Sequence, residues 1–306
     1  MRAKALVLAL AATCAVLTGC GRRKEVTTPS APQKLTILVD FPPAGKAALY
    51  AAQKEGYLHA AGIDAKIQVA RSDSAAIQSV ANGEADLAAV SEPALLQARD
   101  RGLHVVSIGG LVRGPLASAV SSSRVSGARD LSGKRVGLTD SPYAAAFAKT
   151  IGARSGSPLK TSNVSANPAQ ALAKHKVDAV LGIYLDDPRL PRKKVSTATV
   201  DRLGIPTYDE LVLVANEDAL GGKGDLYRSL NGALQRATAD LRRGKAVGAV
   251  PAGQDAVKSV LPRLGSQQNA AQWKAFAEWM QANGLLKRQP NAAAAFTNKY
   301  MPGQGL

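Results

Sequence analysis

Four short stretches of the 306-residue chain set acids, aromatic rings or helix-starting serines directly after apolar runs (Asp40-Phe41, Ser91-Glu92, Ser141-Pro142-Tyr143, and Tyr184 to Asp187), and a fifth, Tyr208 to Glu210, opens another. Phe41, Tyr184 and Tyr208 offer ring faces, and a stacked ring is worth about 0.5–1.5 kcal/mol beyond its burial. Asp40, Asp187 and Glu210 offer carboxylates, which accept hydrogen bonds with charge assistance. Ser141, Pro142 and Tyr143 open a helical pattern, where free N–H groups face an anion or a carbonyl. Ser91 and Glu92 occupy the same kind of position after another strand. Each residue also has a plainer use. The tyrosines suit half-buried packing, the acids suit solvated caps, and Ser91 and Ser141 suit ordinary N-capping. The other chemistry-bearing residues form no catalytic pattern. His59, His104 and His175 have no acidic or histidine companions at metal-ligand spacing. No Ser–His–Asp order and no GxxxxGK[ST] loop occurs. Trp273, Phe276 and Trp279 lie at i, i+3 and i+6, a helical core stripe.

The elements that must position these residues alternate between strand and helix. Lys34 to Asp40 is apolar on both faces toward its end and reads as a buried parallel strand. Residues 46–61 read as a helix stopped by Gly62, 65–70 as a strand, and Ser74 as the cap of a helix through Val80. A strand at 85–90, a helix at 92–101 and a long strand at 104–112 follow. A second unit begins near Ser123, with strands ending at Leu138 and Tyr184 and a helix from Ser141 through Ile151 between them. Residues 207–215 form an apolar strand leading back. Helices are expected at 226–243, 253–261 and 270–282, with a tail helix at 291–300. Such alternation indicates an α/β protein with parallel sheet. In open sheets of that kind ligands sit beyond the carboxyl ends of the strands, which is where the first four stretches fall, with Tyr208 to Glu210 near the hinge.

The first residues read as a secretion signal. Arg2 and Lys4 form a short positive region, and residues 5–17 are apolar but too short to span a bilayer. Leu17-Thr18-Gly19-Cys20 then resembles the lipobox of bacterial lipoproteins, in which the cysteine is acylated and becomes the first mature residue. Cleavage before Cys20 removes Cys14, so the mature chain is expected to hold one lipid-bearing cysteine and no disulfide. Residues 21–33 are polar, carry Pro29 and Pro32, and read as a tether whose Arg22-Arg23-Lys24 run adds attraction to anionic headgroups. The net charge of +16 falls to +14 when Arg2 and Lys4 leave with the signal. Secretion and an aromatic content of 4% speak against nucleic acid and for a basic surface facing an anionic membrane or wall.

Four segments carry a family likeness. KLTILVDFPPAGKAALYAAQKEGYLHAAGIDAKI (34–67) resembles the opening of the solute-binding proteins for thiamine-pyrimidine precursors, a superfamily that also holds binders of riboflavin, nitrate, taurine and sulfonates. GEADLAAVSEPALLQARDRGLHVVSIGGLV (83–112) and ARDLSGKRVGL (128–138) resemble its next segment and the start of its second lobe. GIPTYDELVLVAN (204–216) is similar to the pyrimidine-precursor branch. The first loop, Asp40 to Lys46, is shorter and less polar than the Trp-, Asn- and His-bearing loop usual there. The resemblance covers roughly residues 34–250. It implies an α/β, two-lobed periplasmic-binding-protein type II fold with mixed, mainly parallel sheets.

On that basis residues 1–19 are a signal peptide and 20–33 the lipid anchor and tether. Residues 34–121 plus 213–306 form lobe 1, and 122–212 form lobe 2. The implied function is that of a monomeric extracytoplasmic receptor, tethered to the membrane, which passes a small-molecule ligand to an ABC importer permease and ATPase. It needs no cofactor. An aminopyrimidine or related heteroaromatic would use Asp40, Phe41, Ser91, Glu92, Ser141, Tyr143, Tyr184, Asp187, Tyr208 and Glu210. The alternative ligand is an anion (nitrate, taurine or an alkyl sulfonate) with Lys46 as the available cation. A pyrimidine-synthesising enzyme of the wider superfamily uses a Cys-rich iron segment that this chain lacks, and an adhesion or structural lipoprotein fits the regular two-lobe pattern poorly. The anchor is directly testable: Cys20→Ser should abolish lipidation and leave the protein unprocessed or released, so variant protein that still enters the detergent phase like wild type contradicts it.

Overall fold

A computed structural model of the chain describes residues 31–40, 44–185, 187 and 195–303. Cys20 and Phe41 lie outside the described residues. From Pro32 onward the chain forms one contact unit, built on two five-stranded sheets. The first sheet takes β1 (Gln33–Val39), β2 (Ile63–Val69), β3 (Leu87–Val90), β4 (Val105–Arg113) and, much later in the chain, β10 (Asp209–Asn216). The second takes β5 (Ala117–Ser121), β6 (Arg135–Leu138), β7 (Lys160–Asn163), β8 (Ala179–Tyr184) and β9 (Ser196–Thr199). The strand orders are β2-β1-β3-β10-β4 and β7-β6-β8-β5-β9.

The two orders repeat one plan. In each sheet three strands run parallel, with Ile37 beside both Ile67 and Leu87 in the first and Val136 beside both Thr161 and Ala179 in the second. The fourth position is antiparallel to its neighbours: β10 between β3 and β4, and β5 between β8 and β9. Those two strands are the ones that follow a crossing. The chain leaves the first sheet after Arg113 and returns to it at Asp209. Sheet membership therefore changes at 114–116 and at 200–208, not at 121 and 212. Ala117–Ser121 finds its hydrogen-bond partners on β8 and β9, and Asp209 pairs with Arg113 on β4.

Helices pack on both faces: α1 (Ala47–Lys54), α2 (Tyr57–Ala60), α3 (Asp73–Ala81), α4 (Glu92–Asp100), α5 (Ala144–Ser155), α6 (Pro168–Ala173), α7 (Gly224–Arg242), α8 (Gln254–Val260) and α9 (Ala270–Ala282). The single helix expected over 46–61 is broken in two, because Gly56 takes φ 75° and closes the first piece. Ser72, not Ser74, caps α3 by accepting from the Ala75 N–H at 3.2 Å. Helix α5 begins at Ala144, since Ser141 to Tyr143 form a turn closed by the Ala144 N–H on the Ser141 carbonyl at 3.0 Å. The tail shrinks to one 3₁₀ turn, Ala292–Ala294. In α7 Tyr227, Leu230, Leu234, Ala237 and Leu241 are buried at helical spacing and cover the same core as α1.

The expected aromatic stripe of α9 is present and reaches further than its own sheet. Trp273 and Phe276 are buried. The Phe276 ring stacks on Tyr208 at 4.3 Å and on Trp279 at 5.4 Å, and Trp279 stacks on Phe147 of α5 at 5.7 Å. The Trp279 indole N–H donates to Thr150 Oγ1 at 3.0 Å. Tyr208, expected as a stacking platform for ligand, is 1% exposed and uses its ring face for Phe276.

Glu92 is likewise a fold residue. It is 0% exposed, and its Oε2 accepts from the Asp209 N–H at 2.6 Å. Burial holds its carboxyl well above the ordinary range, the Asp209 charge pushes the same way, and the Asp209 N–H opposes both. The folded chain thus holds this proton more tightly than the unfolded chain. The associated stability is complete below the unfolded pKa and is lost as pH rises through the folded one, at up to about 1.4 kcal/mol per pH unit. Glu92→Gln, which cannot ionise, should flatten the alkaline decline in urea-unfolding free energy measured across roughly pH 5 to 9. Parallel declines in variant and wild type would show that Glu92 does not titrate there.

Candidate functional site

A cavity of about 570 Å³ opens where the carboxyl ends of the strands of both sheets meet. From the first sheet, β1 runs out into Asp40, β2 leads through Arg71 and Ser72 to Asp73, and β3 ends at Ser91. From the second, β6 ends beside Thr139 and Ser141, and β8 carries Gly182 and Tyr184. Glu210, at the start of β10, and Leu116, in the first crossing, complete the wall. The chain puts polar groups here for one reason. Strands β1, β3, β6 and β8 carry buried apolar residues toward their carboxyl ends, and beyond the sheet the chain turns toward a helix whose first turn takes polar caps.

The charged groups are organised. Asp40 forms an ion pair with the buried ammonium of Lys46. Asp73 turns its Oδ2 to Ser91, accepting from the backbone N–H at 3.0 Å and from Oγ at 2.7 Å. Ser91 also caps α4, its Oγ accepting from the Ala94 N–H at 3.4 Å. Burial raises the Asp73 carboxyl above its ordinary value and the nearby Asp40 charge adds to this, while the Ser91 bonds and Lys46 oppose it. Glu210 is buried, and its Oε2 accepts from the backbone N–H of Leu116 at 2.6 Å, that of Ala117 at 3.2 Å and the Tyr208 hydroxyl at 3.2 Å.

Two phenols face the cavity. Tyr143 packs its ring tilted against Phe147 at 6.3 Å, and its hydroxyl donates to Gln97 Oε1 of α4 at 3.4 Å. Desolvation pushes its pKa up, and the Asp73 charge adds to the rise. The Tyr184 pKa is also raised, by burial first and then by the Glu210 charge.

The structure brings six of the sequence-derived residues to this cavity: Asp40, Ser91, Ser141, Tyr143, Tyr184 and Glu210. It leaves three outside. Glu92 faces the β10 backbone, Tyr208 faces Phe276, and Asp187 is buried after β8, its N–H bonded to the Tyr184 carbonyl at 3.0 Å. The sequence reading missed Arg71, Asp73, Gln97 and Thr139. Asp73 was legible as the acid that follows a serine at the end of β2, in the pattern Ser-Asp-Ser before an apolar helix. Gln97 carries no local signal, because it enters the wall from the interior of α4. Among the described residues no group of three His, Cys, Asp or Glu side chains could hold a metal ion.

Residues 44–243 match the NMT1/THI5-like family. The chain belongs to that family. This NMT1/THI5-like chain is 30% identical over 291 residues to a Haemophilus influenzae protein named for thiamine biosynthesis, covering 86% of the chain and 91% of the relative. It is 28% identical over 204 residues to the formylaminopyrimidine-binding protein of Halalkalibacterium halodurans, covering 63% of the chain and 62% of that protein. Among solved structures, the periplasmic aliphatic sulphonate-binding protein SsuA of Escherichia coli superposes with a TM-score of 0.68 at 16% identity, over 88% of this chain and 99% of that one. At such identity the likeness concerns the fold, and the family member has the two-sheet architecture of periplasmic binding proteins.

One wall position admits only glycine. Gly182 has φ +89°, and a Cβ there would lie 2.7 Å from Thr139 Oγ1 and 3.3 Å from Ser141 Cβ and Ala144 Cβ. Thr139 Oγ1 meanwhile donates to the Gly182 carbonyl at 2.9 Å, so the wall cannot yield without losing that bond. Gly182→Ala should cost about 1–3 kcal/mol of stability, readable as a lower urea midpoint. An unchanged midpoint would refute the stated geometry.

Proposed function

We propose that the protein is an extracytoplasmic solute-binding receptor of an ABC importer and that its ligand is a thiamine pyrimidine precursor or a closely related heteroaromatic. One observation carries this reading. The cavity is walled by both sheets, and its ionisable lining is mainly acidic, with Asp40, Asp73, Asp140 and Glu210 against Lys46 and Arg71. Lys46 is already paired with Asp40. A bound nitrate or sulfonate would face those carboxylates and be repelled, whereas ring N–H and amino groups find acceptors in them. Tyr184 and Tyr143 supply flat, largely apolar faces for the ring. The two named relatives, one for thiamine biosynthesis and one for formylaminopyrimidine binding, support the same ligand class.

In this reading the work is binding without turnover. A ligand touching Asp40 and Ser91 on one side and Tyr184 and Ser141 on the other contributes to the closed form alone, and that differential drives closure. The lipid on Cys20 holds the monomeric receptor near the permease.

The anion reading keeps one support of its own. Arg71 and the first turns of α3 and α4 reach the cavity, and such helix ends favour negative charge. Calorimetric titration with a hydroxymethyl- or formamido-pyrimidine beside taurine and nitrate separates the two. Pyrimidine binding is expected. Glu210→Gln, which keeps shape and an acceptor oxygen for Leu116, should weaken it by about 1–2 kcal/mol, and Tyr184→Ala should weaken it by removing ring contact. Tight binding of either anion with no heat from any pyrimidine overturns the proposal.

A further inference from the structure

The two oxygens of the Asp73 carboxylate are in different situations. Oδ2 is fixed by Ser91 through both the backbone N–H and the hydroxyl. Oδ1 is shielded from bulk water and has no hydrogen-bond partner among the described residues. A buried acceptor left without a partner is costly, more so when charged, and of the described residues that hold such an atom Asp73 is the one in the cavity wall. The surroundings supply one. Asp73 lies in the cavity wall with Tyr143 and Tyr184, whose phenols both feel its charge. Ser91 is itself held as the cap of α4, so the carboxylate cannot swing away to find another partner without stripping that cap of its own bond.

We propose that Asp73 is the specificity-determining residue of this cavity, its Oδ1 accepting the exocyclic amino group of a heteroaromatic ligand whose ring lies against the tyrosines. The assignment rests on the receptor reading and sharpens it. It selects ligands that present an N–H donor at that edge over ligands that present a carbonyl. It also gives the aspartate one task per oxygen, with Oδ2 locked for orientation and Oδ1 for recognition. Asp40 does not share the task in the same way, because its carboxylate is engaged by Lys46.

Asp73→Asn tests this with almost no change of shape. The amide oxygen takes over the two Ser91 bonds, and the amide NH2 stands where Oδ1 stood, turning an acceptor into a donor. The probes are 4-amino-5-hydroxymethyl-2-methylpyrimidine, the same ring without the amino group, and its 4-oxo analogue, each titrated by calorimetry into wild type and variant. Wild type should prefer the amino compound by at least about tenfold over both others. The variant should lose at least about tenfold for the amino compound and bind the 4-oxo analogue more tightly than wild type does. Equal affinity of wild type for the amino and des-amino rings overturns the assignment, and needs no folded variant. Unchanged affinity of Asp73→Asn for the amino compound overturns it too, since a neutral Asp73 acting as donor would be replaced by the amide without loss. If wild type binds none of the three rings, the receptor reading falls and this assignment with it. Binding that survives in wild type but ignores position 73 removes the assignment alone.

Discussion

The carboxylate of Glu210 joins the two crossings of the chain, and the rest of the architecture depends on that junction. One oxygen accepts from Leu116, from Ala117 and from the Tyr208 hydroxyl. Leu116 and Ala117 stand where the chain enters the second sheet, and Glu210 where it re-enters the first. Bonds to a charged acceptor of this kind are worth about 1.5–3 kcal/mol each, and losing the acceptor would leave two backbone N–H groups buried without it. The residues beside it are fastened as well. The Asp209 N–H binds Glu92, the Asp209 carboxylate accepts from Trp273 and Gln272, and Tyr208 is stacked on Phe276. Three consecutive residues thus tie β10 to α4, to α9 and to the first crossing.

That constraint accounts for the acid that the return crossing contributes to the cavity wall. Residues buried at a crossing must satisfy backbone groups that no sheet ladder can reach, and acids are the side chains that accept several N–H bonds at once. The acidity of the cavity wall is therefore partly a by-product of holding the crossing together. Asp40 and Asp73, by contrast, sit on the rim supplied by the first sheet and are oriented by Lys46 and Ser91.

Strands β1, β3, β4, β6, β8 and β10, and the helices α4, α7, α8 and α9, are legible in the sequence because each falls on an apolar run or helical period of matching length. Three strands are not. Lys160–Asn163 is exposed throughout, Ser196–Thr199 is made of small and polar residues, and Ala117–Ser121 shows no alternation because both of its faces are buried. Their existence is decided by hydrogen-bond partners far away in sequence. The candidate site divides along the same line. Strand-end residues such as Asp40, Ser91 and Tyr184 follow from the position of their strand. Tyr208 does not, because its ring is claimed by Phe276, which the chain reaches only in α9. Glu92 likewise reads as a strand-end acid until Asp209 arrives to bury it.

The row of rings from Phe147 through Trp279 and Phe276 to Tyr208 has an optical consequence. The chain has two tryptophans, and Trp273 is wholly buried with its indole N–H on Asp209. Trp279 is different. It is partly exposed, stacked between a ring of α5, which follows a strand of the second sheet, and a ring of its own helix. Its stacking depends on a ring from the side of the second sheet, whereas Trp273 is held by Asp209 and packed on Phe296. The intrinsic emission of the folded chain therefore combines a wholly buried source with one set at the seam between the sheets, whose surroundings depend on how the two sheets are packed.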